Sequence, residues 1–204
     1  MLSRGAILPA ALLVAACSTS SPSTVPSGSS PTDASLVDAS VDGGPDLDMQ
    51  ASDFTCILDW PMVENFRITN KLGDTAAAVA VASSPAGGHY PVGTVIQLIP
   101  NEAMVKRRVG FDPANNDWEF FALGTSASGT TINMRGGSEV TNAAGSCAGC
   151  HGGAKPQWDF ICDTTHGCAP LPLPISILLS LQNGDPRCAA DSGASADAGA
   201  DAGD

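Results

Sequence analysis

Five residues in the last third of the chain, Cys147-Ala148-Gly149-Cys150-His151, set two thiols and an imidazole at a spacing suited to one piece of chemistry. Cysteines three apart share one side of a helical turn. Both sulfurs can then add across the two vinyl groups of a single porphyrin. The histidine that follows turns under the ring to ligate iron, and C-x-x-C-H is the attachment signature of c-type haem. Ala148 and Gly149 are small, which lets the peptide lie close to the macrocycle. With seven Cys and three His in 204 residues, a chance match somewhere in the chain is expected at roughly the few-per-thousand level. A zinc half-site would want a second Cys or His pair at ligand spacing, and the other cysteines supply none. A redox C-x-x-C followed by an accidental histidine is the remaining alternative.

Haem attachment requires export to an oxidising compartment, and the N-terminus is built for it. Met1 to Ala16 has Arg4 early and an apolar run from Ala6 to Val14, and it ends in Val14-Ala15-Ala16-Cys17. Small residues leading into a cysteine resemble the lipobox of bacterial lipoproteins, which makes Cys17 the expected lipid attachment point; an ordinary cleaved signal with a chance Cys is the alternative. The run is too short to span a bilayer. The expected location is therefore outside the cytoplasm, on a membrane-anchored lipoprotein facing the periplasm or cell surface, with the membrane as partner through acylated Cys17.

Residues 17–52 are Ser, Pro, Thr, Asp, Gly and Ala with almost no large side chains, a composition that cannot offset the entropy of ordering. They read as a disordered tether of r.m.s. reach about 30–35 Å. Residues 189–204 repeat Asp-Ala-Gly and read as a disordered tail. Most of the formal charge of −12 sits in these tails: between Phe54 and Cys188 eight Lys and Arg face eleven Asp and Glu, and ten further Asp lie outside. Lys106-Arg107-Arg108 is a short cluster, expected on a solvated strand edge, and no basic patch for nucleic acid is present. All ten aromatic residues lie between Phe54 and Phe160, so residues 53–188 are expected to form one folded domain.

Of the seven cysteines, Cys17 is assigned to lipid and Cys147 and Cys150 to haem. Cys56, Cys162, Cys168 and Cys188 remain, an even number that implies two disulfides with three possible connectivities. The preferred pairing is Cys162–Cys168, closing a short loop, with Cys56–Cys188 tying the domain ends.

The motif must be carried by a sheet-dominated α+β domain. Thr94 to Pro100 reads as a strand opened by the turn Tyr90-Pro91-Val92-Gly93. Further strands are expected over Met104–Phe111, Trp118–Leu123 and Thr130–Met134, separated by turn chemistry at Asp112–Asn116 and Gly129. Ser146–Ala154 reads as a short helix bearing the motif. Pro174 suits the first position of a helix over Ile175–Gln182, ended by Asn183-Gly184. The Ala/Val-rich stretch Thr75–Ala82 fits a helix or a strand. A haem motif that follows a run of strands disfavours the helical fold of small electron carriers.

The order of motifs is similar to the cytochrome P-460 family, which includes the β-sheet type of cytochrome c-prime. The similarity rests on Tyr90-Pro91-x-Gly93-Thr94-Val95, Glu102-Ala103-Met104-Val105-Lys106, Trp118-Glu119-Phe120-Phe121, Cys147-x-x-Cys150-His151 and Trp158-Asp159-Phe160. What the resemblance implies is a haem c packed on an antiparallel sheet of about five strands, with His151 as proximal ligand. It also implies binding or conversion of small nitrogen species such as nitric oxide or hydroxylamine. Family enzymes carry a lysine cross-linked to the porphyrin edge. That register falls on Leu98 here, so the cross-link, and hydroxylamine oxidation with it, are not expected. Lys106 is a nearby amine in a different motif.

Function then turns on the sixth iron position. Met104, Met134 and Lys106 are candidate distal groups, with His89 and His166 as further imidazoles. A Met or His ligand would imply electron transfer with a periplasmic redox partner; an open apolar pocket would imply gas binding. The leading expectation is a mono-haem protein that binds small gaseous or nitrogenous ligands or transfers electrons. The alternatives are a haem oxidoreductase acting on hydroxylamine, nitric oxide or peroxide, with Glu102, Glu119 or Lys106 moving protons, and a disulfide-stapled structural lipoprotein without haem.

Overall fold

Six antiparallel strands follow one another across a single sheet in the computed structural model, which describes residues 45–171 and 173–188. The expected signal segment, Cys17, residues 18–44 of the expected tether and residues 189–204 lie outside the described residues. The strands are β1 (Met62–Val63), β2 (Phe66–Asn70), β3 (Thr94–Gln97), β4 (Glu102–Lys106), β5 (Trp118–Ser126) and β6 (Gly129–Gly136). Their order in the sheet is their order in the chain, so each pair is closed by a local connection, one of which holds helix α1 (Thr75–Ala82). The α+β class stands, with one strand more than the five expected.

Side chains alternate across this sheet, and both faces are buried. Ile68, Ile96, Met104 and Phe120 lie opposite one another from strand to strand and form the floor of the front face. Val95, Ala103, Val105, Phe121 and Leu123 point to the back. Helix α1 takes the Ala/Val-rich stretch, burying Ala78 against the front cluster. Its start is set where the Thr75 hydroxyl accepts the Asn70 N–H at 3.0 Å.

The strand expected over Met104–Phe111 is β4, which ends at Lys106 because Arg108 to Phe111 closes a turn, Phe111 N–H to Arg108 C=O at 3.1 Å. Helix α3 (Ile175–Asn183) has Pro174 as its cap, not its first turn; ψ of 146° leaves Pro174 extended. Gln182 pins α3 to the sheet. It is fully buried, donates to the carbonyls of Asn65 (2.7 Å) and Leu98 (2.9 Å), and accepts from Arg67 Nε at 3.0 Å.

Residues 45–52, read from sequence as part of the tether, pack on the back face. Met49 is fully buried there beside Phe54 and Ile57. Asp46 takes two hydrogen bonds from the Arg107 guanidinium, at 3.0 and 2.9 Å, and a third from the Arg108 N–H at 3.0 Å. Arg135 bridges Asp48 (2.7 Å) and Glu119 (2.6 Å), and Glu119 also meets Arg107. The basic cluster is thus not a solvated edge. Lys106 and Arg107 are both buried, one on each face, because carboxylates reach them from distant segments. The composition of residues 45–52 hid this, since two apolar and two acidic residues suffice for the clasp.

Both disulfides of the preferred pairing are present: Cys56–Cys188, 132 residues apart, and Cys162–Cys168, six apart. In the chain-entropy account the long link contributes about 5 kcal/mol.

The Arg107 guanidinium holds the Asp46 carboxyl down to about 2, from an ordinary 3.8. A carboxyl lowered in the folded state stabilises fully above its unfolded pKa and loses that contribution as pH falls toward the folded value. Discounted for partial exposure, the contribution is about 1–2 kcal/mol. Asp46→Asn is therefore expected to lower stability by that amount at pH 5 and to flatten the fall between pH 4 and 2. Urea unfolding across that range measures it, and an unchanged pH profile would place Asp46 outside the domain.

Candidate functional site

The motif-bearing helix α2 (Cys147–His151) is only five residues long, too short to stand alone, so its neighbours must hold it. A small hairpin, β7 (Thr141–Asn142) and β8 (Gly145–Ser146), leads into it. Ser146 caps its start, its hydroxyl oxygen accepting the Gly149 N–H at 3.2 Å. The Cys147 N–H donates to the buried Val140 carbonyl at 3.1 Å. Ala148 then inserts into the front cluster. A small residue between the cysteines is needed here for packing on the sheet.

His151 has two restraints. Its Nδ1 lies 2.7 Å from the Phe160 carbonyl oxygen. A carbonyl only accepts, so Nδ1 carries the proton and, in the neutral ring, Nε2 holds the lone pair. Burial pushes the His151 pKa below that of an ordinary histidine, with the hydrogen bond to Phe160 opposing, so the ring is neutral near pH 7. The ring also packs on Phe120 of β5, centroids 5.3 Å apart and tilted by 57°. Nε2 has no hydrogen-bond partner among the described residues. An imidazole anchored through Nδ1–H to a carbonyl, with Nε2 free, is prepared to ligate a metal.

Cys147 and Cys150 are the free cysteines among the described residues, one half-buried and one exposed. Burial, reinforced by the charge of Glu102, pushes the Cys147 thiol up to about 11. The Cys162–Cys168 loop lies against the other end of α2, with Cys162 Sγ 3.2 Å from the Cys150 carbonyl oxygen. Within that loop His166 Nδ1 donates to the Ile161 carbonyl at 2.8 Å, and its ring stacks on Trp158 at 3.8 Å. Adjacent carbonyls, of Phe160 and Ile161, thus each hold one histidine.

The expected distal groups fare differently. Met104 shares the front face with Phe120 but is packed into the core at 4% exposure. Met134 pairs with Ala122 on the same face and is 40% exposed. Lys106 is committed to a buried ion pair: Nζ donates to Asp159 at 2.8 Å and to the Asn116 carbonyl at 2.7 Å. Glu119 is held between Arg107 and Arg135 on the back face, so it is not available as a proton carrier beside α2. Glu102 accepts from Asn142 at 2.9 Å on the motif side. The His89 side chain is exposed, 3.7 Å from Asp159. No helix among the described residues is long and apolar enough to cross a membrane. Nor do they hold a cluster of three or more His, Cys, Asp or Glu side chains arranged for a metal ion.

Sequence reasoning did not identify the Phe160 carbonyl or the Phe120 ring as partners of His151. The first is a backbone group, without a side-chain signature; the second was visible only as part of Trp118-Glu119-Phe120-Phe121.

With the two motif thiols reduced, the elevated pKa makes Cys147 slow to react. Its smaller thiolate fraction outweighs its greater nucleophilicity, so near pH 7.5 alkylation is expected about ten- to thirty-fold slower than for an ordinary thiol. Cys150, being exposed, is expected to label first. Timed iodoacetamide labelling with peptide mass spectrometry reads the order, and faster labelling of Cys147 would contradict it.

No family model, curated protein or solved structure matches the chain, so the reading of this site rests on its own residues.

Proposed function

We propose that the chain is an exported c-type cytochrome of the cytochrome P-460 type, carrying one haem and tethered to a membrane through lipid on Cys17. Thioether bonds from Cys147 and Cys150 would hold the porphyrin, with His151 Nε2 as the iron ligand. The observation that carries this reading is the orientation of His151: Nδ1–H committed to the Phe160 carbonyl, Nε2 free, and both free thiols on the same short helix. When bound, haem supplies an iron that changes oxidation state by one electron and accepts a small ligand at its sixth position.

The protein's own groups do the rest. Phe120 and Phe160 restrict the imidazole, Ala148 fastens the helix to the sheet, and the Cys162–Cys168 loop supports its C-terminal end. The burial of Met104 and the ion pair of Lys106 favour an open sixth position, hence binding of nitric oxide or a similar small molecule. Leu98 offers no amine for a porphyrin cross-link, and with Lys106 and Glu119 engaged the oxidoreductase reading keeps only Glu102 as a proton carrier. Electron transfer has one specific support, the exposed thioether of Met134 on the front face.

Expression in a host that attaches haem c should yield coloured protein whose haem survives denaturation. Cys147→Ala with Cys150→Ala should abolish the covalent haem. Ferrous protein should change its absorption spectrum on adding carbon monoxide or nitric oxide. A spectrum insensitive to gas, becoming sensitive in Met134→Ala, would assign Met134 as the sixth ligand and favour electron transfer instead. Colourless protein with two titratable thiols would refute the haem reading, and a strongly red-shifted Soret band would reveal a cross-link despite Leu98.

A further inference from the structure

We infer that Asp159 is the positioning residue of His151, acting through the backbone turn it anchors rather than by contact. The inference rests on the reading of His151 as the iron ligand. Asp159 is wholly buried yet charged, and groups from across the front of the domain converge on it. Its carboxylate accepts from the Tyr90 N–H at 2.8 Å, from Lys106 Nζ at 2.8 Å and from the Asn116 side-chain amide. Its own carbonyl accepts from Trp118 Nε1 at 2.7 Å. Lys106 in turn lies 5.2 Å from the centre of the Trp118 ring.

What this network holds is an unfavourable piece of backbone. Asp159 and Phe160 are consecutive non-glycine residues in the left-handed region, with φ of 48° and 66°. Such residues persist where the surroundings over-determine them. The side-chain hydrogen bonds to the turn converge on Asp159, beside the Ile161 N–H to Trp158 carbonyl bond at 2.8 Å that closes it, while Phe160 carries the consequence: the left-handed turn directs its carbonyl at His151 Nδ1. A ligand's hydrogen-bonded partner fixes its tautomer and ring orientation, and losing such partners characteristically costs ten- to a hundredfold in metal affinity. Asp159 thereby joins the immobile core of the domain to the one imidazole that must present Nε2 in a set direction.

The test is made on the full chain, before and after haem attachment. Asp159→Asn keeps the shape and removes the charge; Asp159→Asn with Lys106→Met removes both charges, so that no cation is stranded. In the chain without haem, nitrogen-15 NMR of the His151 ring should show a protected Nδ1–H in the parent protein. In the folded variants that protection should fall at least about ten-fold, with both tautomers populated. The Gly152 N–H, which closes α2 on Ala148 at 2.8 Å, should stay protected as a control. After haem attachment, the ferrous iron–imidazole stretch should move to lower frequency. A folded variant that keeps a single protected Nδ1–H tautomer would overturn the inference. So would unfolding of both variants, since the carboxylate would then serve the whole fold. If the ring loosens as expected but no haem is taken up by any form, the haem reading fails while the positioning of His151 stands.

Discussion

Lys106 and Arg107 are neighbours in sequence at the end of β4, and the alternation of a strand sends them to opposite faces of the sheet. Each is buried, and a buried cation without its partner is strongly destabilising, by roughly 3–5 kcal/mol. Much of the tertiary arrangement follows from supplying those partners. On the front, Asp159 is drawn in from the segment after the motif helix, 53 residues along the chain. On the back, Asp46 arrives from the N-terminal side, 61 residues away, and Glu119 comes from the adjacent strand. Replacing such pairs by apolar groups often costs little. Their value lies in specifying which segments meet, and the two faces would otherwise offer similar apolar surfaces.

The motif helix benefits from that arrangement. Five residues cannot make a stable helix, and of its two thiols Cys147 packs against the front cluster while Cys150 is exposed. Position comes instead from four supports: the Ser146 cap, Ala148 in the core, the Phe160 carbonyl, and the disulfide loop against Cys150. Three of the four lie within fifteen residues of the motif, so the site is built locally on a floor that the sheet supplies.

Much of this was legible in the residues. Three of the expected strands overlap β3, β5 and β6 closely, because each is a β-rich run bounded by Gly, Pro or Asn. The even cysteine remainder led to both disulfides. β2 was missed although Phe66-Arg67-Ile68-Thr69-Asn70 alternates, since Arg67 and Thr69 lower its mean hydropathy. Helix or strand for Thr75–Ala82 was undecidable from residues that are nearly all apolar; the structure makes it a helix, with a local Asn70–Thr75 hydrogen bond at its start and Ala78 buried against the front cluster. Residues 45–52 were read as tether for a related reason: composition averages over a window, whereas Asp46 and Met49 act singly. Basic residues read as solvated proved buried, because a strand cannot announce which distant carboxylate will meet it. The imidazole's partner is a carbonyl, and no residue type encodes that.

The Cys56–Cys188 bond also divides the chain mechanically. Tension applied between the two ends of the described chain passes through that bond, and the segment between residues 56 and 188 carries none of it. What a pull can extract is the strap from residue 45 to residue 55, about 36–40 Å of chain when drawn straight. It is held by the Asp46 and Asp48 ion pairs and by the burial of Met49, all on the back face. A stretched strap would uncover Arg107 and the back of the sheet, while α2, His151 and the Asp159 network on the front stayed in place. The domain can yield length at one end without the load reaching the site.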